Sequence, residues 1–177
     1  MILGLASPMN LVVVPITLAH AKSFRECLDV VAREKRYLAL TEAPSEEKMQ
    51  GFVRDSVQAD AAQFVALDGD VVVAWADIFP SWADAVAHCG NLGMGVLPEY
   101  RGRGLGKRLL LTCIAKAQAK GITRIALQAR ADNDVAIKLY EAVGFKHEAK
   151  IRNAMRFDGV YFEAVQMSLC SVSPDQP

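Results

Sequence analysis

A run of glycines and cations between residues 101 and 107 is the part of this sequence best suited to binding an anion. In chain order it consists of Arg101, Gly102, Arg103, Gly104, Leu105, Gly106 and Lys107. Glycines let a backbone turn sharply with its N–H groups exposed, and a helix that begins after such a turn adds about half a positive charge. We therefore predict that this run cradles a diphosphate.

The charge distribution points to the same segment. The chain has no net charge, with 20 basic and 20 acidic residues, yet residues 100–131 contain eight basic residues and no acidic one. The rest of the chain has 12 basic and 20 acidic residues and is therefore as negative as this segment is positive. A concentrated positive field favours an anionic ligand. The neutral total argues against a surface made for nucleic acid or for an anionic membrane, and we expect neither as a partner.

The spacing of the glycines does not fit two well-known phosphate-binding loops. A Walker A loop has four residues between its first glycine and Gly-Lys-Ser/Thr, but Gly102 and Gly106 enclose three and Arg108 follows Lys107. In a dinucleotide fingerprint the third glycine comes one residue later than it does here. A protein that binds nucleotide phosphates remains a disfavoured alternative.

The cysteine spacing and the absence of long apolar runs indicate the cell compartment of the protein. The four cysteines are Cys27, Cys89, Cys113 and Cys170. They form no C-x-x-C pair, so we expect reduced thiols, a cytoplasmic protein and no metal site. No uncharged apolar run approaches 18 residues, and the apolar start at 1–7 lacks the basic region of a signal peptide. Met1 and Met9 are alternative starts.

The elements that must position the glycine run follow from β-rich and helical patterns. Strands are predicted at 11–16, 64–67, 71–79, 89–97, 125–129, 145–151 and 160–169. Pro15 indicates that the first strand lies near an edge, and Asp68-Gly69 and Asp158-Gly159 are favoured hairpin turns. Three glycines in the strand 89–97 indicate a bulge, or a group that approaches its backbone closely.

Apolar residues at helical spacing predict four helices. They lie at about 17–35, after Pro44 with Ser45 as N-cap, at 105–120, and from Asp132 or Asn133 to Gly144. Phe52, Val53 and Val57 are predicted to give the second helix an apolar face. Interleaved strands and helices predict one mixed α/β domain over 1–170, followed by a frayed tail at 171–177.

Two motifs, with a strand between them, resemble the GNAT superfamily of acyl-CoA-dependent N-acetyltransferases. The first is the strand and loop Gly95-Val96-Leu97-Pro98-Glu99-Tyr100 followed by R-x-x-G-x-G at 101–106. The second comprises Asn133, Ala136, Leu139-Tyr140-Glu141 and Gly144-Phe145. The closing segment 150–169 is similar to that of members that acetylate protein N-termini or polyamines.

This resemblance implies both a fold and an activity. The fold is α/β (α+β), with a mostly antiparallel central sheet of about six to seven strands, splayed at the middle and flanked by about four helices. The activity is transfer of the acetyl group of acetyl-CoA to a primary amine, a protein N-terminus or a small amine, by direct attack in a ternary complex without a metal. Relatives often pair, which implies a homodimer as a further partner state. A non-catalytic acyl-CoA-binding regulatory module is the alternative.

The resemblance also implies roles for individual residues. Backbone groups at Val96 and Leu97 would pair with the pantetheine arm, and the loop from Arg101 through Lys107 would hold the diphosphate. Asn133 and Ala136 would contact the arm. Tyr140 lies two helical turns, about 10 Å, beyond Asn133 and would return a proton to the leaving thiolate.

The sequence leaves several candidates for the general base that would deprotonate the amine. Many relatives carry a glutamate where this chain has Asn91, so His88, Asp77 or a water chain are the candidates to replace it. Neutralising an α-amine of pKa near 8 at pH 7 costs about 1 kcal/mol, whereas an alkylamine near 10.4 costs about 4–5 kcal/mol. Without an evident base, the sequence favours an amine of low pKa.

Overall fold

Seven strands form one sheet in the computed structural model, which describes residues 11–172. They are β1 (Leu11–Pro15), β2 (Ala62–Asp68), β3 (Val71–Pro80), β4 (Cys89–Val96), β5 (Arg124–Arg130), β6 (Lys146–Phe157) and β7 (Val160–Cys170). Their order is β1-β2-β3-β4-β5-β7-β6, and every neighbouring pair is antiparallel except β4 and β5. The predicted mostly antiparallel sheet is confirmed, and β1, which contains Pro15, lies at its edge.

Four α-helices cover the two faces of this sheet. They are α1 (Ala21–Arg33), α2 (Glu46–Gln58), α3 (Leu105–Ala119) and α4 (Asp134–Val143). Helices α1 and α2 enclose a core with Val65, Val72 and Trp75, whereas α3 packs on the opposite face with Ala74, Ile78 and other buried residues. The sheet therefore separates two apolar layers, one on each of its faces.

Helix termini agree with the predicted caps with two adjustments. The Ser45 hydroxyl accepts a hydrogen bond from the Lys48 amide at 3.4 Å, as expected of an N-cap. Thr17 caps a short 3-10 turn at Leu18–His20, and α1 begins only after that turn. Helix α2 buries Met49, Val53 and Ser56. Of the predicted apolar face, Val53 is buried, whereas Phe52 and Val57 stay 40% and 42% exposed, and the Phe52 ring packs against Phe79 of β3.

The two hairpins differ in how well their turns were predicted. Asp158 and Gly159 both have positive φ, as a two-residue turn of the favoured type requires. In the first hairpin Asp68 still belongs to β2, so the turn residues are Gly69 and Asp70, one position later than predicted. Strand β6 continues to Phe157, well beyond the predicted end at 151, because a register shift lets it remain paired with β7.

Some predictions fall outside the described residues. The alternative starts at Met1 and Met9, and the tail beyond residue 172, are among them. At the start of the tail, the Ser171 amide donates to the Thr123 carbonyl at 2.9 Å. Within residues 11–172 no helix is long and apolar enough to cross a membrane.

The glycines of β4 make room for side chains of β3. A Cβ atom on Gly95 would overlap the indole of Trp75, and one on Gly93 would lie 2.8 Å from Oδ1 of Asp77. Both glycines lie directly opposite the residues they accommodate. The close approach inferred from the sequence is therefore made by the neighbouring strand.

Strands β4 and β5 part soon after they meet. Their pairing is confined to Cys89 with Arg124, Gly90 with Ile125, and Asn91 with Ala126. Beyond Asn91, β4 continues to Val96 without β5 beside it, although it stays paired with β3. The sheet is therefore splayed at its middle, as predicted.

Candidate active site

The splayed strands open a cleft of about 600 Å³ that also receives the N-terminal ends of α3 and α4. Its lining residues are Val31, Tyr37, Met94, Gly95, Val96, Tyr100, Arg101, Gly102, Gly104, Leu105, Gly106, Lys107, Gln128, Ala129, Asn133, Val135, Ala136, Leu139 and Tyr140. Most of the residues predicted to bind a cofactor therefore share one cavity, of a size typical of small-molecule sites. Leu97 and Arg103 are not part of the lining.

The edge of β4 presents unpaired peptide groups to this cleft. The Leu97 amide donates to the Val73 carbonyl at 2.9 Å, which fixes which residues of β4 bond to β3. Because hydrogen bonding alternates along an antiparallel pair, the N–H and C=O groups of Met94 and Val96 face the other way, towards the gap. Of these, the Val96 carbonyl accepts a hydrogen bond from Nε of Arg101, which leaves both Met94 groups and the Val96 amide. An extended ligand could pair with them as an added strand does. Leu97, by contrast, turns its amide away from the cleft.

The loop before α3 exposes amides at the other wall of the cleft. Gly102 and Gly104 have φ of +71° and +74°, and a Cβ at either position would meet nothing within 4 Å. Glycine is therefore required there for backbone conformation and not for space. Helix α3 begins at Leu105, and its first amides have no acceptor within the helix. Together with Lys107, which also lines the cleft, they are suited to binding an anion.

Arg101 uses its side chain to tie this loop to α1. Its Nε donates to the Val96 carbonyl at 2.9 Å, and a second guanidinium nitrogen donates to Glu34 at 3.0 Å. The guanidinium also lies over the Tyr37 ring, 4.9 Å from its centroid. The Arg101 amide donates to the Pro98 carbonyl at 3.3 Å, so both the side chain and the amide of Arg101 are engaged with protein groups. The Arg103 guanidinium lies 6.0 Å from the centroid of the Tyr100 ring.

Helix α4 places three predicted residues on the cleft. Asn133 is its N-cap and accepts a hydrogen bond from the Ala136 amide at 3.3 Å. Tyr140 is only 8% exposed, and its ring packs against Phe145 at 5.8 Å between centroids. Burial raises the pKa of Tyr140 to about 12, so its hydroxyl keeps its proton at neutral pH.

Asp77 lies in β3 beside the point where β4 and β5 part. It pairs with Gly93, two residues beyond the last β4–β5 pair at Asn91, and its Oδ1 fills the space next to Gly93. Burial raises the pKa of this carboxyl to about 7, against a weaker lowering effect of the Gly93 amide. A carboxylate with a pKa near neutrality is suited to accept a proton.

His88 lies far from the cleft. It precedes β4 at the end where that strand is still paired with β5, and six residues of extended chain, about 20 Å, separate it from Met94. Its Nε2 is 3.4 Å from Sγ of Cys89. The structure therefore brings Asp77, but not His88, to the parting of the strands.

Two residues of the cleft and one neighbour of Asp77 were not predicted from the sequence. Gln128 and Tyr37 line it, and their types alone carry no recognisable signal. Gln63, which is 1% exposed, pairs across β2 and β3 with Asp77. A glutamine between apolar neighbours in a strand could have marked it. Among residues 11–172, no group of His, Cys, Asp or Glu side chains is placed to hold a metal ion.

Comparisons with known proteins agree with this geometry. A model of the acetyltransferase (GNAT) family matches residues 25–145. The chain superposes on the ribosomal-protein-alanine N-acetyltransferase of Brucella melitensis with a TM-score of 0.84 at 18% identity, over 90% of this chain and 99% of that one. The phosphinothricin acetyltransferase of Sinorhizobium meliloti, solved with acetyl-CoA, gives 0.80 at 21% identity, over 92% and 89%.

Sequence similarity to curated proteins is local. The mycothiol acetyltransferase of Corynebacterium aurimucosum is 44% identical over 52 residues, which are 29% of this chain and 17% of that protein. The mycothiol acetyltransferase of Kocuria rhizophila is 35% identical over 72 residues, 41% of this chain and 24% of that protein. The chain thus matches less than a quarter of the length of these relatives.

Proposed function

The chain belongs to the acetyltransferase (GNAT) family, and from this premise we propose that it transfers the acetyl group of acetyl-CoA to the nitrogen of a primary amine. The observation that carries the proposal is the cleft itself. Unpaired peptide groups of β4, the open N-terminus of α3 and the Tyr140 side chain line one cavity of about 600 Å³.

The residues of the cleft fit an elongated molecule with a charged end and an amide-bearing arm. The amides that follow Gly104, with Lys107, are suited to a diphosphate. The peptide groups of Met94 and the Val96 amide are suited to an arm that pairs like a strand, and Asn133 and Ala136 lie on the facing wall. Acetyl-CoA has this layout and supplies an activated thioester.

Asp77 is the proposed general base. An amine that reaches β4 from the α1–α2 face meets the Asp77 carboxyl beside Gly93. With a pKa raised to about 7, the carboxyl is ionised in part at neutral pH and accepts the proton that the amine must lose. His88, the other side chain predicted as a candidate, is less suited because it lies at the far end of β4.

Tyr140 is the proposed donor to the departing sulfur. Its raised pKa of about 12 makes it a weaker acid than a thiol, whose ordinary pKa is about 8.5. A hydrogen bond from the hydroxyl to the developing thiolate is therefore favoured over complete transfer of the proton. Such a bond stabilises the transition state while Tyr140 stays protonated.

The proposed acceptor is an amine of low pKa, such as the α-amino group of a peptide or amino acid. Moving a proton from an α-ammonium of pKa near 8 to a carboxyl of pKa about 7 costs about 1.4 kcal/mol. The same transfer from an alkylammonium near 10.4 costs about 4–5 kcal/mol. The base thus discriminates against lysine-like and polyamine acceptors by roughly two orders of magnitude.

Calorimetry followed by an acceptor panel tests the proposal. We expect acetyl-CoA and CoA to bind and ATP to bind more weakly, and we expect thiol release with peptides or amino acids that carry a free α-amine. Blocking the α-amine of the same peptide by formylation is the matched control and should abolish release. Binding without release across the whole panel would instead identify a non-catalytic acyl-CoA-binding module, and ATP binding equal to that of CoA would identify a nucleotide-phosphate binder.

A further inference from the structure

Three buried polar atoms near the proposed base lack hydrogen-bond partners. They are Oε1 and Nε2 of Gln63 and the hydroxyl oxygen of Ser56. Gln63 is 1% exposed and Ser56 is 5% exposed. Leaving a buried polar group unpaired is unfavourable, so buried polar atoms in proteins nearly always have partners. Three such atoms in one region indicate a polar arrangement with a purpose beyond packing.

The strand register places Gln63 against Asp77. The two residues are directly opposite in β2 and β3, so their side chains emerge from the same face of the sheet. The Gln63 carbonyl accepts the Ile16 amide at 3.1 Å, on the β1 side of the strand. Gln63 and Asp77 are therefore a non-hydrogen-bonded pair, the kind in which cross-strand side chains are closest.

Ser56 lies close to the start of β2. It is on the buried face of α2, and its carbonyl accepts the Ala61 amide at 2.9 Å, so the helix end and the start of β2 are held together there. Trp75 packs against Phe24 of α1 and Phe79 against Phe52 of α2, which encloses Asp77 between two covered positions of its strand. The side-chain atoms of Ser56 and Gln63 thus lie under the helices, whereas Asp77 keeps partial exposure.

We propose that Ser56, Gln63 and Asp77 form a hydrogen-bonded chain in which Gln63 is the positioning residue of the Asp77 carboxylate. No direct hydrogen bond joins these side chains in the structure, so each link runs through a bound water: from the Ser56 hydroxyl to Oε1 of Gln63, and from Nε2 of Gln63 to Asp77. All three unpaired atoms gain a partner in this way, and the carboxylate keeps its free oxygen for the amine. The role of Asp77 as base rests on the proposed function, whereas the hydrogen bonding among the three side chains does not.

Titration of the Asp77 carboxyl, followed by ¹³C NMR of the full chain, tests this proposal without any assay of activity. The signal is assigned by its loss in Asp77→Asn. Gln63→Met keeps the length of the side chain and removes its polar atoms, so the ionised carboxylate loses a donor. We expect its titration midpoint to rise by about one pH unit. Cys113 is the other titratable group that Asp77 influences, through its charge, and its thiol is followed in parallel.

Two further variants keep the test decisive. Ser56→Ala removes the far end of the chain and should raise the Asp77 midpoint by a smaller amount, which also serves if Gln63→Met does not fold. Val65→Ala creates a small void two residues along the same face of β2. It should lower the melting temperature and leave the midpoint where it is.

The outcomes separate this inference from the proposed function. An unchanged midpoint in both Gln63→Met and Ser56→Ala overturns the hydrogen-bonded chain. A raised midpoint, together with a matching shift of the acidic limb of kcat/KM and an unchanged KM for acetyl-CoA, supports both proposals. A raised midpoint in a protein that acetylates no amine supports the chain of side chains and refutes the enzyme.

Discussion

Replacing Asp77 by asparagine should stabilise the protein and inactivate it. The pKa of the carboxyl is raised from 3.8 to about 7, so the folded state disfavours its ionisation. Below pH 3.8 both folded and unfolded chains hold the proton and nothing is lost. As pH rises from there to about 7 the unfolded chain ionises first, and stability falls; above about 7 the loss is constant.

The size of the effect follows from that shift. Three pKa units correspond to about 4 kcal/mol, and because part of Asp77 reaches solvent we expect about 2–3 kcal/mol. Asp77→Asn removes this cost, so urea unfolding at pH 8 should show a gain of that size that shrinks as pH is lowered towards 4. Loss of a general base should lower kcat by about 10²–10⁴-fold at the same pH.

A matched substitution and two results would decide the matter. Asp55→Asn, at an exposed position of α2, should change neither stability by more than about 0.5 kcal/mol nor kcat. If Asp77→Asn were no more stable than the parent at pH 8, the carboxyl would not be desolvated. If it retained full turnover, Asp77 would not be the base, whatever its pKa.

Three other substitutions test separate parts of the site. Tyr140→Phe should lower kcat by about 10–100-fold while acetyl-CoA affinity, measured by calorimetry, stays the same; lost affinity with normal turnover would contradict its role. Glu34→Gln weakens the hold on Arg101 and should reduce acetyl-CoA affinity by about 3–10-fold, with unchanged affinity showing that the loop is positioned without it. Gly95→Ala should destabilise by about 1–3 kcal/mol because its methyl group would overlap an indole, whereas Gly51→Ala in open space should stabilise by about 0.5–1 kcal/mol. Equal melting temperatures for the last two would refute the packing argument.

Local features of this fold were predictable because their causes are local. The Asp158-Gly159 turn, the N-cap at Asn133 and the helix stop at Gly144 each depend on the conformational preference of one or two residues. The loop 101–107 was equally predictable, since alternating glycines and cations before a helix are typical of an anion-binding loop. Of these features, the loop and the N-cap at Asn133 lie at the cleft.

Contacts between distant segments were not predictable in this way. The sequence predicts Arg101 as a phosphate ligand, yet its guanidinium donates to Glu34, which lies 67 residues away in the chain. The importance of Asp77 depends on register with Gly93 and Gln63 and on burial that raises its pKa, none of which a single strand encodes. His88 was an equal candidate until strand direction placed it at the wrong end of β4.

The short junction between β4 and β5 has a mechanical consequence. Three pairs of strand residues, together with the Thr123 amide that donates to the His88 carbonyl at 2.9 Å, join β4 to β5. The line between β4 and β5, called the seam below, therefore has few hydrogen bonds in the free protein. A ligand that fills the gap and bonds to Met94 and Val96 should stabilise the sheet where β4 and β5 part. At a concentration 100-fold above its Kd such a ligand raises the free energy of unfolding by about 2.7 kcal/mol. The slowing of amide hydrogen exchange should then be concentrated along the seam, at the edges of β4 and β5.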